Sequence, residues 1–114
     1  MAGRANRRRG EVEAVLGGER RILCLTLGAL AELETAFAVD DLASLGARFA
    51  NGRLKARDLI RIIGAGLRGG GNAFSDEEVA ALDIDGGVAG AGRIVSDLLT
   101  AAFAAEGEAA ATNP

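Results

Sequence analysis

The chain is poor in side chains that could perform catalysis. It contains no His and no Tyr, and Cys24 is its only cysteine. A nucleophilic cysteine needs an activating base, which is usually an imidazole, and a Leu-Cys-Leu run is more typical of a small core residue. Each of the sixteen Asp and Glu residues can be explained as a helix cap, a first-turn charge or a solvated side chain. We therefore predict that the protein is not an enzyme and has no catalytic or cofactor-binding residues.

Two segments superficially match ion-binding motifs. Residues 83–88 (DIDGGV) begin like a calcium loop, but that loop needs an acidic or amide side chain at position five, Gly at six and Glu at twelve. Gly87, Val88 and Ile94 occupy those positions. The glycine run at residues 69–71 has neither a preceding strand nor a following Gly-Lys-Ser/Thr, as a phosphate loop requires. Without a Cys or His cluster for zinc, we predict no metal site and no small-molecule substrate.

The basic residues leave a DNA-binding alternative open. Arg57, Arg61 and Arg68 fall together on one side of a predicted helix, where they could meet phosphates. Residues 1–21 carry six Arg against three Glu, whereas the remainder of the chain is acidic. The pI near 4.9 and the absence of Asn or Gln on that helix argue against base readout. We expect no nucleic-acid partner, and we keep a small helical DNA-binding protein as an alternative.

The longest strongly apolar helical pattern lies at residues 54–71. Its Leu59, Ile62, Ile63 and Leu67 follow the i, i+3, i+4, i+8 spacing of an amphipathic helix. Lys55 would be its N-cap and Asp58 its third residue. The glycines at 64 and 66 each cost roughly 1 kcal/mol relative to Ala in a helix interior. Either another helix crosses closely there, or this central helix frays toward the Gly-Gly-Gly run.

Other elements follow from alternation, caps and apolar spacing. Residues 11–16 and 20–25 alternate around Gly17-Gly18 and predict a β-hairpin. Helices are predicted from the Thr26 cap to about residue 39, after Asp40 or Asp41 to Asn51-Gly52, and from the Ser75/Glu78 capping box to about residue 82. The last helix, with Asp85 as its cap, is predicted from about residue 88 to about residue 105. The predicted core comprises Leu30, Leu33, Phe37, Leu45, Phe49, Leu59, Ile62, Ile63, Leu67, Val79, Leu98 and Phe103.

These elements predict an α+β fold in which an N-terminal β-hairpin packs on a mostly helical domain of about five helices. We predict a flexible basic arm at residues 1–10, a single domain at 11–105 and a disordered tail at 106–114. The chain lacks an apolar run near eighteen residues, so no membrane partner is expected. A lone cysteine and the absence of a signal-like segment predict a cytoplasmic location.

Four short segments, in this order, resemble the small tail protein of alphaproteobacterial gene transfer agents and related phages. They are LTLGALAELE (residues 25–34), ARDLIRI (56–62), GLRGGG (66–71) and SDEEV (75–79). Members of that family are described as tail assembly chaperones and are sometimes labelled phage tail tube proteins. The resemblance implies a cytoplasmic, non-enzymatic assembly factor that engages the tail tape measure protein while tail tube subunits polymerise around it.

The two labels imply different folds. A tube subunit needs substantial β-structure to form rings, whereas only the first quarter of this chain is predicted to form strands. The chaperone reading is therefore favoured, with a tail tube or minor structural tail component, located in the virion tail, as its alternative. Contact with the tail tube protein and a homo-oligomer remain open.

We predict that a partner binds apolar surface at the glycine-containing end of the central helix. Glycine there exposes backbone that another chain could approach closely. The alternative, slightly favoured, is that these glycines only admit the last helix. The predicted partner-binding residues are Gly64, Gly66, Leu67, Arg68, Gly69, Gly70 and Gly71.

Overall fold

The computed structural model describes residues 5, 6, 9–50 and 54–112, with side chains described up to residue 104 except those of Leu42 and Ala50. Over this part of the chain, an antiparallel hairpin precedes five helices and 59% of the structure is helical, which confirms the α+β prediction. The elements are β1 (Glu11–Leu16), β2 (Glu19–Cys24), α1 (Leu27–Ala36), α2 (Leu42–Ala50), α3 (Ala56–Gly69), α4 (Asp76–Ala80) and α5 (Gly87–Thr112). Asn51 and Gly52, the predicted stop of α2, lie outside the described residues.

The hairpin depends on its two-residue turn. Gly17 and Gly18 have φ values of +62° and +79°, and a type I′ turn needs positive φ at both central positions. The turn sets Leu16 opposite Glu19 and Val12 opposite Leu23. Side chains alternate between the two faces of a strand, so Val12, Leu16 and Leu23 all enter the core.

Helix α3 is the centre of the domain. It packs against α1, α4, α5 and β2, and its Leu59, Ile62, Ile63 and Leu67 are buried as predicted. Lys55 precedes the helix, and its side chain has no hydrogen-bond acceptor for the first N–H groups of the helix. The Asp58 carboxylate instead accepts a hydrogen bond from the Lys55 N–H at 3.0 Å. Half of a capping box is therefore formed at the start of α3.

The predicted core is confirmed except at one position. Phe103 is half-buried because it lies at the edge of the domain, against Gly46 of α2. Phe37 and Phe49 make an edge-to-face pair with ring centroids 5.1 Å apart. The predicted core left out ten residues that the structure also buries, in the hairpin, just after it and in the helices: Val12, Leu16, Leu23, Leu25, Ala29, Ala65, Ala91, Val95, Ala101 and Ala102.

Several helix ends differ from the prediction. Helix α1 stops at Ala36, because Ala38 takes φ +55° and the Val39 N–H returns to the Glu34 carbonyl, an arrangement typical of a Schellman C-cap. Helix α4 ends at Ala80. Helix α5 begins at Gly87, one residue before the predicted start and two residues after Asp85, the predicted cap, and its backbone continues to Thr112, beyond the predicted end near residue 105. The division into arm, domain and tail stays a prediction.

The predicted side-chain caps at Thr26, Asp41 and Ser75 are formed. Thr26 Oγ1 accepts from the Ala29 N–H at 3.1 Å. The Asp41 carboxylate accepts from the Ser44 N–H at 2.7 Å, and this backbone hydrogen bond lowers the pKa of Asp41. Ser75 Oγ accepts from the Glu78 N–H at 3.1 Å while Glu78 Oε1 accepts from the Ser75 N–H at 2.9 Å, which completes the capping box.

One segment of α5 corrects the prediction that the chain lacks a stretch long enough for a membrane span. Gly87–Ala104 has the length and mean hydropathy, 1.2, of such a span, and 33% of it is buried inside the domain. Its Ala91, Val95 and Leu98 belong to the core. A core helix of a soluble protein has the same composition, so this segment is weak evidence for a membrane.

The helix caps predict how two substitutions change the stability of the protein. We expect Ser75→Ala to lower the free energy of unfolding by about 1 kcal/mol, because the Glu78 N–H loses its acceptor. Lys55→Ser should raise it by about 0.5 to 1 kcal/mol by completing the cap of α3. Urea denaturation of the variants, with exposed Ser96→Ala in α5 as control, measures both changes. A Ser75→Ala midpoint equal to that of the parent protein would show that the capping box adds no stability.

Candidate functional site

Of the seven predicted partner-binding residues, three are buried, three are half-buried and one is exposed. Gly64, Gly66 and Leu67 are buried. A Cβ placed on Gly66 would lie 2.9 Å from Leu98 Cδ1, so this glycine lets α5 pack directly on α3. A Cβ on Gly64 would overlap the Asp76 carboxylate at the start of α4.

The next two glycines meet the hairpin rather than a helix. A Cβ on Gly69 would lie 2.0 Å from the Cys24 carbonyl oxygen, and one on Gly70 would lie 2.0 Å from the Ile22 carbonyl oxygen. The Asn72 side-chain amide donates to the same Ile22 oxygen at 2.9 Å. The C-terminal end of α3 thus covers the outer edge of β2.

These contacts correct the expectation of exposed glycine backbone. Gly66 admits the last helix, as the alternative reading held, and Gly69 and Gly70 admit a strand that the sequence did not suggest. Gly71, with φ +93°, is the exposed member of the run. Partner binding at this stretch stays a prediction, but its buried members are unavailable to a partner in this structure.

Arg68 is held in ion pairs instead of lying on a free basic face. Its Nη1 donates to the Phe74 carbonyl at 2.9 Å and to Asp76 Oδ1 at 3.0 Å, and its Nη2 donates to Glu32. Partial burial lowers the pKa of Arg68, but the hydrogen bonds to Asp76 and Glu32 outweigh it and raise that pKa overall. Arg68 joins the end of α3 to α1 and α4.

Arg57 and Arg61 remain exposed on α3. Within the described residues, neither makes an ion pair. The basic face invoked by the DNA-binding alternative therefore contains two free arginines rather than three, and a stripe of this size is a weak phosphate-binding surface.

An apolar groove of about 350 Å³ opens between α3, α4 and the start of α5. Its walls are almost entirely aliphatic. Val88 stands at the rim with 76% of its surface exposed, and Ile60 is half-buried. The groove is lined by Ala56, Leu59, Ile60, Ile63, Val79, Leu82, Asp83, Ile84, Gly87, Val88 and Ala91.

Sequence reasoning missed this groove. Two of its residues carried a signal: Ile60 and Val88 are branched apolar residues that fall outside the core stripes of their helices. Their contact depends on the fold, because the lining residues come from two separate segments of the chain, 56–63 and 79–91. Such a groove has no group for chemistry, but it can receive apolar side chains from a helix.

The chain matches a known protein family over residues 9–105. That family is described as phage tail tube protein, GTA-gp10. The chain belongs to this family. No curated protein and no solved structure shows a significant match. The match places the protein among the tail-related proteins of gene transfer agents and phages, as the sequence resemblance indicated.

That this tail-family protein is not an enzyme stays a prediction. Within the part of the chain that the structure describes, there is no group of three or more His, Cys, Asp and Glu side chains placed to hold a metal ion. Burial raises the pKa of the Cys24 thiol, proximity to Glu11 raises it further, and Arg9 partly opposes both. A thiol with a raised pKa is a poor nucleophile at neutral pH.

The glycine contacts predict opposite effects of the same substitution. Gly69→Ala should destabilise the domain by at least about 2 kcal/mol, because the added methyl group meets a backbone carbonyl that cannot swing away. Gly92→Ala, in α5, is the matched control: a Cβ there meets nothing within 4 Å. It should stabilise by up to about 1 kcal/mol through helix propensity. Thermal and urea unfolding measure both, and equal stabilities would show that α3 does not lie on β2.

The thiol reactivity of Cys24 gives a pH-dependent prediction. Only the thiolate is alkylated, so a raised pKa moves the midpoint of the iodoacetamide rate profile to higher pH than that of a free thiol. Glu11→Gln should move the midpoint down, because a raising charge is removed. Glu13→Gln, on the same strand, should leave it in place. An unchanged midpoint in Glu11→Gln would contradict the electrostatic contact.

Proposed function

We propose that the protein is a tail assembly chaperone of a gene transfer agent or prophage, and that it binds the tape measure protein during tail formation. The observation that carries the proposal is the exposed aliphatic groove between α3, α4 and α5. Family membership supports a tail role. The proposed role places the protein in the cytoplasm while particles assemble.

The groove fits the partner that the family resemblance suggests. A long, helical, alanine-rich chain presents small apolar side chains at i, i+3, i+4 and i+7, and an apolar groove receives such a stripe. Binding a helix there would remove Ile60, Leu82 and Val88 from water. Burial of aliphatic surface contributes about 25 cal/mol per Å², and it needs no specific polar pairing. A chaperone gains from that tolerance, because the partner repeats along its length.

Charged residues beside the groove are expected to orient a bound partner helix rather than to raise its affinity. Arg57 and Arg61 lie on the exposed face of α3, next to the wall that Ala56 and Ile60 form, while Asp83 lies on the opposite wall. Rim charges of this kind mainly set association rate and register. A partner helix with an acidic flank toward α3 would match them.

A tail tube component is the second candidate, because the family description names a tube protein. Ring formation through β-structure would rest here on two strands of six residues each. A domain that is 59% helical offers little sheet for that purpose. We therefore favour the chaperone.

Co-expression with the neighbouring tail proteins, followed by affinity capture of this protein, tests the proposal. We expect the tape measure protein to be recovered. Val88→Asp should weaken capture by at least about tenfold, since a carboxylate would be buried in an aliphatic groove. Leu27→Asp is a matched control: Leu27 is 78% exposed, also stands at a helix start, and lies outside the groove.

Three outcomes decide between the candidates. Loss of capture in Val88→Asp alone supports the groove. Equal loss in Leu27→Asp would indicate a general effect of added charge and contradict the placement. Recovery of ordered rings of this protein alone, without the tape measure protein, would favour the tube component.

A further inference from the structure

The outer edge of strand β1 is open. A two-residue turn makes Leu16 and Glu19 a hydrogen-bonded pair, and such pairs alternate along an antiparallel ladder. Glu11, Glu13 and Val15 therefore direct their N–H and C=O groups away from β2. The same alternation on β2 turns the Ile22 and Cys24 carbonyls outward, where Gly70 and Gly69 contact them.

Contacts close this edge at both ends but not in the middle. The Glu11 N–H donates to the Asn6 carbonyl at 3.0 Å, and the Gly17 N–H donates to the Asp83 carbonyl at 2.9 Å. Between them, the outward N–H and C=O of Glu13 and the N–H of Val15 have no hydrogen-bond partner among the described residues. Glu13 is exposed and Val15 is 43% exposed. An open edge of this kind can pair with an extended chain.

Carboxylates border the open edge. Glu13 lies on the strand, and the loop before α5 contributes exposed Asp83 and Asp85. None of the three makes an ion pair within the described residues. Arg93 has its guanidinium beside Gly86 and is within ion-pair distance of neither aspartate. The three carboxylates outnumber the two arginines placed beside them, which are Arg93 and Arg20, the residue opposite Val15 on β2.

Next to the edge is a depression of about 510 Å³ lined by Val15, Gly18, Ile84, Gly86 and the two aspartates. Val15 and Ile84 are its apolar lining residues, and Asp83 and Asp85 are its acidic ones. A side chain with an aliphatic stem and a cationic end fits this combination, because the stem can cover the apolar residues while the charge reaches the carboxylates.

We propose that the β1 edge binds an extended, basic segment of a partner protein as a third strand. Backbone hydrogen bonds to Glu13 and Val15 would align the segment, and Lys or Arg side chains on one of its faces would meet Glu13, Asp83 and Asp85. Complementary charge selects a basic occupant and disfavours an acidic one. A second copy of β1 is disfavoured, since it would set glutamates against glutamates. This surface shares Asp83 and Ile84 with the helix groove, but the proposal does not depend on the chaperone role.

The test uses the full chain and an acetylated, amidated heptapeptide that alternates Lys and Val. We expect NMR titration to shift the amide resonances of Glu13 and Val15 most strongly. The same peptide with a methyl group on every backbone nitrogen should not bind, since it has no backbone N–H to donate and its methyl groups obstruct both of its edges. A peptide with Glu in place of Lys should not bind either.

Variants separate edge pairing from general electrostatics. Glu13→Lys should weaken binding by at least about tenfold, and Glu13→Gln by less, because the first reverses the charge and the second only removes it. Glu77→Lys is the matched control: it makes the same change of net charge at an exposed position on α4 and should leave binding close to that of the parent.

The proposal is overturned by equal loss of binding in Glu77→Lys, by binding of the N-methylated peptide, or by shifts centred away from Glu13 and Val15. Concentration-dependent self-association through the same two amides would also overturn it, because a second copy would then be the occupant. Thermal unfolding of each variant confirms that a lost interaction is not lost folding.

Discussion

The fold depends on how closely the end of α3 approaches the hairpin. Gly69 and Gly70 lie against the Cys24 and Ile22 carbonyls at a separation that no Cβ could occupy. This contact seats a two-stranded sheet, marginal on its own in water, on the central helix. It also covers two of the outward carbonyls of β2, those of Ile22 and Cys24. Glycine at these two positions lets the sheet and the helices share one core.

The same end of α3 joins the remaining elements. Arg68 bonds to Glu32 of α1, to Asp76 of α4 and to the Phe74 carbonyl that precedes α4. Gly64 leaves space for that arrangement, since a Cβ there would overlap Asp76. Partly exposed ion pairs contribute little stability individually, but this arrangement fixes where α4 begins relative to α3. The position of α4 in turn shapes the wall of the groove.

Local signals in the sequence were sufficient for the elements but not for their contacts. Gly17-Gly18, the Ser75/Glu78 box and the spacing of Leu59, Ile62 and Ile63 are each contained within a few residues, so they could be recognised. The cost of Gly66 indicated a close neighbour, but only the fold shows that the neighbour is Leu98. Ala38 gave no warning of its positive φ, because a non-glycine residue adopts that conformation only when surrounding contacts require it. The groove could not be predicted either, because its lining residues come together only in the folded chain.

The loop between α4 and α5 belongs to both proposed surfaces. Asp83 and Ile84 line the helix groove on one side and the depression beside β1 on the other. The Asp83 carbonyl also accepts from the Gly17 N–H, which ties the loop to the hairpin turn. A ligand that moves or orders this loop at one surface changes the free energy of binding at the other, and by thermodynamic linkage the effect is equal in both directions. In an assembly factor, such coupling would let the binding of an extended basic segment change the affinity for a helical partner.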